Sequence, residues 1–221
     1  MIARDLISEI IPAIDTDDTG HKALNWMEIF RVSHLPIVCG DEFLGVISDN
    51  DIYDFNIADN KIVDYKLSLY RPYIYEDQHI YEIIEIASRL KLSVIPVLDK
   101  ENKYKGVITL HDLVKYFSEL IAVNSPGAVI VLEMSVHNYS LTQIANIIEG
   151  NNAKILSLYL KNISDTSKIE VTIKVNTDNL SSILQTLDRY DYIVKASYME
   201  DDSYRKIFED RYETFMNYIN I

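Results

Sequence analysis

Cysteine occurs once in these 221 residues, at Cys39. A single thiol excludes an internal disulfide and leaves no second thiolate for a metal site, so Cys39 is expected to be a small buried apolar side chain. Glycine and proline are also scarce, at six and five, which removes collagen-like and low-complexity readings. No apolar run approaches the roughly 18 residues that a membrane-spanning helix needs. The opening Met1-Ile2-Ala3-Arg4-Asp5 carries an acid where a secretory leader is basic, and a cytoplasmic protein is expected. Positive charge is outnumbered, 21 Lys and Arg against 34 Asp and Glu, for a net charge of −13. A field of that sign repels phosphate polymers and anionic lipid, so neither nucleic acid nor a membrane is an expected partner. An anionic ligand would have to be held by a local feature such as a helix N-terminus.

What is present is ordinary globular material, 48% hydrophobic and 25% charged, in a length comfortable for two domains. The first half repeats itself. His34-Leu35-Pro36-Ile37-Val38 returns as Val94-Ile95-Pro96-Val97-Leu98, a shift of 60. Gly45-Val46-Ile47-Ser48-Asp49-Asn50-Asp51-Ile52 returns as Gly106-Val107-Ile108-Thr109-Leu110-His111-Asp112-Leu113, a shift of 61, the extra residue falling in the polar turn Asp99 to Lys103. Each unit reads as an amphipathic helix, a short apolar strand with a Pro, a polar hairpin, a second strand and another helix. Ala23, Leu24 and Met27 in the first helix, and Ile83, Ile84 and Ala87 one repeat later, keep the 3.6-residue period of a core face.

The chemistry hangs on Gly-apolar-apolar-Ser/Thr-x-x-Asp, complete in both copies. Ser48 with Asp51, and Thr109 with Asp112, have the spacing of a helix N-cap. The same spacing suits a ligand: a strand that hands over to a helix presents free N–H groups and the positive end of the dipole to a phosphate, and a carboxylate on the first turn can accept hydrogen bonds from sugar hydroxyls. On these residues, roughly 1–120, the chain resembles a pair of cystathionine-beta-synthase-type (CBS) domains. The resemblance implies two repeats that pair into a disc with two clefts for AMP, ADP, ATP or another adenosyl compound. It implies that Asp51 and Asp112 hold ribose hydroxyls, that Ser48 and Thr109 face phosphate, and that Leu35 and Ile95 border the adenine. His111, beside Asp112, is a further candidate for phosphate. The acidic first hairpin, Gly40-Asp41-Glu42, against Lys103 and Lys105 around the second, makes the second-repeat motif the better phosphate site.

Asn124-Ser125-Pro126-Gly127 punctuates the chain. A strand from Val129 to Val136 follows, then a helix from Ser140 with a capping box to Gln143, strands over 154–161 and 168–175, a helix from near Asp178 and a last strand from Tyr192 to Tyr198. This βαββαβ order is similar to an ACT domain, a ferredoxin-like module that often binds amino acids and pairs edge to edge. The turn His137-Asn138-Tyr139-Ser140 lacks the Gly usual at that family's effector site, and dimerisation is the property carried over. A CBS pair followed by an ACT-like module is also the arrangement of proteins labelled acetoin-utilisation protein B. Tyr204, Ile207, Phe208, Tyr212, Phe215, Met216 and Ile219 form an aromatic stripe on a terminal amphipathic helix.

The expected fold is α/β (α+β): a CBS pair over 1–122, with repeats near 1–60 and 61–122, an ACT-like domain over 127–200 and a helix over 201–221. With no nucleophile elbow, phosphate-cradling Gly loop or metal-spaced cluster, no catalytic residue and no metal site is expected. The expected function is a regulatory sensor that is not an enzyme, with an adenine nucleotide as ligand, a homodimer partner and a protein or enzyme target. The alternative is an interaction and dimerisation module with empty clefts.

Overall fold

A computed structural model describes residues 2–8, 10–56, 58–64, 71–164 and 166–199. The expected terminal helix lies outside the described residues. The chain divides into two compact units, Met1–Tyr116 and Phe117–Ile221.

In the first unit each repeat builds a three-stranded sheet with two helices. Repeat one runs β1 (Ile14–Asp15), α1 (Gly20–Phe30), β2 (His34–Cys39), β3 (Glu42–Ser48) and α2 (Asp49–Asp54). Repeat two runs β4 (Ile74–Tyr75), α3 (Ile80–Leu90), β5 (Val94–Leu98), β6 (Tyr104–Thr109) and α4 (Leu110–Leu120). The registers are copies: β1 pairs parallel to β2 with Ile14 opposite Ile37, and β4 parallel to β5 with Ile74 opposite Val97. The hairpins match as well, His34 opposite Ser48 and Val94 opposite Thr109, each with an irregularity after its Ile37 or Val97. The helix stripes face inward as their period requires, Ala23, Met27, Ile83 and Ala87 all being buried. Both helices end on a left-handed residue, Arg31 (φ 56°) and Lys91 (φ 53°), which closes the last turn.

The repeats are not separate beads. Residues 2–8 pack on repeat two: Ala3 lies in its core, Arg4 N–H donates to the Glu76 carbonyl at 2.9 Å, and Ser8 N–H to that of Val107 at 2.7 Å. In return Ile62 lies in the core of repeat one, where its N–H donates to the Asp18 carbonyl at 2.9 Å. Each repeat is thus completed by the segment that precedes the other. This crossing explains Gly106, whose φ is +143° and where a Cβ would sit 2.5 Å from Ile7 Cγ2.

The second unit contains β7 (Val129–Ser135), α5 (Leu141–Gly150), β8 (Ile155–Asn162), β9 (Lys168–Val175), α6 (Ser181–Arg189) and β10 (Ile193–Tyr198). The sheet order is β10-β7-β9-β8, antiparallel throughout. Alternation along β9 puts Ile169, Val171, Ile173 and Val175 in a core with Ile144, Ile148, Ile183 and Leu187 of the two helices. Gln143 does not complete the expected capping box. Its N–H donates to Ser140 Oγ at 3.3 Å, but its side-chain oxygen accepts the Tyr192 hydroxyl at 2.9 Å, a tertiary bond that displaces the local one. The unit begins inside α4, ahead of the expected end at residue 122, because the chain after α4 is fastened to β8: Ser157 Oγ donates to the Ile121 carbonyl at 2.9 Å.

Cys39 is exposed rather than buried. It is the last residue of β2, opposite Glu42 at the hairpin end, beyond the part of the strand covered by helices.

Candidate functional site

The two Ser/Thr-x-x-Asp motifs sit where a strand hands over to a helix, and both are complete caps. Asp51 Oδ2 accepts from the Ser48 N–H at 2.8 Å and from the Ser48 hydroxyl at 2.7 Å, while the Asp51 N–H returns a bond to Ser48 Oγ at 3.1 Å. In repeat two the Thr109 hydroxyl donates to Asp112 Oδ2 at 2.7 Å, and the Asp112 N–H to Thr109 Oγ1 at 2.9 Å. The hydroxyl in each pair acts as donor and acceptor at once, which fixes its rotor and places a carboxylate on the first turn. The surroundings differ. Ser48 is half-buried at the head of the six-residue α2. Thr109 is 8% exposed at the head of the eleven-residue α4, whose longer run of aligned peptides gives the stronger dipole.

The remaining candidates separate. Leu35 and Ile95 have no exposed surface, and their side chains belong to two different apolar clusters. The middle of each strand is covered on both faces, as its continuous apolar run implies. His111 is exposed on the first turn of α4. Lys103 is held by Glu101 at 2.9 Å in the hairpin.

A cleft of about 600 Å³ lies on repeat one, lined in part by Met27, Glu28, Arg31, Asp49 and Tyr53. It borders the first residue of α2, but Ser48 and Asp51 do not line it. In the second unit a 450 Å³ cleft includes Glu133, Gln143, Lys168 and Tyr192. These four are paired with each other, Lys168 Nζ to Glu133 at 2.6 Å and the Tyr192 hydroxyl to Gln143 at 2.9 Å.

Ser33, His34 and Ser93 escaped the sequence reading. Ser33 and Ser93 are repeat equivalents, 60 apart, and they meet: the Ser33 N–H donates to Ser93 Oγ at 3.0 Å. His34 Nδ1 lies 3.1 Å from Ser93 Oγ and accepts from the Ser93 N–H at 3.3 Å. The recurrence of Ser at one position before each strand was the signal available. Farther along the sheets the repeats meet again, where the Tyr104 N–H donates to the Asp41 carbonyl at 2.9 Å and Phe43 stacks on Tyr104 with centroids 6.5 Å apart. The Tyr104 hydroxyl is buried without a hydrogen-bond partner among the described residues, and burial pushes its pKa well above the usual phenol value. Among the described residues no group of three His, Cys, Asp or Glu is placed to hold a metal ion, and no helix is long and apolar enough to cross a membrane.

Comparison with known proteins places the first unit. The chain is 28% identical over 114 residues to an inosine-5'-monophosphate dehydrogenase of Methanocaldococcus jannaschii, covering 51% of this chain and 23% of that one. It spans about a quarter of the length of the curated relatives it matches. A Thermotoga maritima protein described as a CBS domain pair/ACT domain protein aligns at 22% identity with a TM-score of 0.48, over 54% of this chain and 98% of that one. A CBSX2 protein in complex with AMP aligns at 19% identity with a TM-score of 0.46, over 53% and 96%. The family model for the CBS domain matches twice, at residues 3–57 and 69–119. The repeated half of this chain is a pair of CBS domains.

Proposed function

We propose that the CBS pair takes an adenine nucleotide, AMP, ADP or ATP, at the capped helix N-termini and that the second unit transmits its occupancy, so that the protein acts as a regulator and not as an enzyme. The observation that carries this reading is the duplicated cap, strongest at Thr109 and Asp112, where a nearly buried hydroxyl and a carboxylate stand at the head of an eleven-residue helix. Both caps use Oδ2, so a ribose hydroxyl would be received by Oδ1 and a phosphate by the first-turn N–H groups. Ser48 and Asp51 are proposed as the lesser site. CBSX2, which shares this fold, has been solved with AMP.

The second unit is proposed to be ACT-like on its sheet order, and a second copy of this chain is its proposed partner. β8 is an edge strand with Tyr159 and Leu160 exposed at 48% and 47%, a surface suited to pairing with its own copy. The downstream target is proposed to be a protein or enzyme whose activity follows nucleotide level in the cytoplasm.

A sensor must bind its ligand with different affinity in two states. AMP, ADP or ATP should therefore raise the melting temperature of the full chain, and Asp112→Ala should reduce the rise by more than Asp51→Ala does, each measured against its own ligand-free baseline. No rise with any of the three overturns the reading. One observation favours the alternative of an interaction module with empty clefts: each carboxylate already has a structural task as a cap. A dimer whose melting is indifferent to nucleotide is its expected behaviour.

A further inference from the structure

The two repeats are related by a shift of 60 that maps Ser33 onto Ser93 and His34 onto Val94. Their contact is not symmetric. The Ser33 N–H donates to Ser93 Oγ at 3.0 Å, but the Ser93 N–H does not return the equivalent bond to Ser33 Oγ; it donates to His34 Nδ1 at 3.3 Å. A backbone N–H can only donate, so Nδ1 must be unprotonated and the neutral ring carries its proton on Nε2. The Ser93 hydroxyl, already accepting from Ser33, donates to the same Nδ1 at 3.1 Å. Ser33 Oγ stands 3.4 Å from it.

The joint reaches both caps through one peptide each. The Ser33 carbonyl accepts the N–H of Asp49, the first residue of α2, and the Ser93 carbonyl accepts that of Leu110, the first residue of α4, both at 3.2 Å. We propose that His34 is a proton-operated joint between the repeats: the neutral ring ties Ser93 to repeat one, and protonation at Nδ1 sets a donor against the Ser93 N–H and releases both helix N-termini together. The groups that face the ring are Ser33 beside it in the chain, Ser93 on repeat two, Ser48 opposite it in the sheet, and the carboxylates of Asp49 and Asp51 on α2.

The direction of the switch follows from a competition. Burial lowers the His34 pKa from its ordinary value of 6.5, the pull of Asp49 and Asp51 raises it, and burial is the larger effect. A group lowered in the folded state contributes stability that is complete above 6.5 and is lost as the pH falls through the folded value. The joint is therefore closed at neutral pH and opens on acidification.

The test is an NMR pH titration of the full chain without nucleotide, from pH 8 to pH 5 in roughly half-unit steps spanning the histidine range, so that it stands or falls apart from nucleotide binding. The expected result is a His34 ring in the Nε2–H tautomer at neutral pH that titrates below 6.5, with the amide signals of Ser93 and Leu110 shifting at the same midpoint and losing protection from exchange. In His34→Val, which copies Val94, the Ser93 and Leu110 shifts should vanish. A ring that titrates at its ordinary value or higher, or Ser93 and Leu110 amides that ignore its titration, overturns the proposal. The wild-type titration decides even if the variant does not fold.

Discussion

The two CBS repeats were copied from one pattern and have drifted in opposite directions. Repeat one keeps the cap with more bonds, with Ser48 exchanging three hydrogen bonds with Asp51, but sets it on a helix of six residues. Repeat two sets a plainer cap, nearly buried, on a helix of eleven. Repeat one also contributes the histidine at the joint, His34, where repeat two has Val94 at the equivalent position. Duplication preserved the register and spent its freedom on burial and helix length. Equal motifs are therefore not equal caps.

That contrast can be broken by substitution, beginning in the cores. Ala23 and Ile83 are equivalent and both have no exposed surface. Ile83→Ala empties a side-chain volume that repeat one never had, and should cost about 3 kcal/mol in urea unfolding. The caps come next. Thr109→Val, at a nearly buried position, leaves the half-buried Asp112 carboxylate and its N–H without their partner and should cost about 2 kcal/mol, while Ser48→Ala, half-exposed, should cost about 1 kcal/mol. Equal losses would remove the distinction between the sites. The smallest effect has the opposite sign: Tyr104→Phe removes a buried hydroxyl that has no partner among the described residues, and should leave stability unchanged or raise it by up to about 1 kcal/mol.

The parts of this structure that were legible in the sequence are those with a period. Ile83 and Ala87 read as core because a 3.6-residue stripe can be counted, and β9 because Ile169, Val171, Ile173 and Val175 alternate. The exchange of residues 2–8 and 58–64 between repeats was not legible. It rests on isolated bridges, such as Ile2 opposite His79 and Thr19 opposite Lys61, too short to carry any pattern. At the candidate site the caps were legible because Ser-x-x-Asp is local geometry. The adenine border assigned to Leu35 and Ile95 came from the resemblance, whereas the continuous apolar runs of their strands made the burial itself legible. The exposure of Cys39 was not legible, because residue type alone does not say that it falls at the hairpin end of its strand. Ser33 and Ser93 were visible as a repeat, yet their meaning needed the third dimension, since nothing in either copy says that the two touch.

The central claim is that both caps are ligand sites and that repeat two has the stronger one. Isothermal titration of AMP and ATP into the full chain and into Asp51→Ala and Asp112→Ala tests it directly. The account predicts binding to the wild type, a partial loss in Asp51→Ala and a larger loss in Asp112→Ala. Absence of binding heat with either nucleotide, confirmed by equilibrium dialysis, or affinity unchanged in both variants, would contradict it.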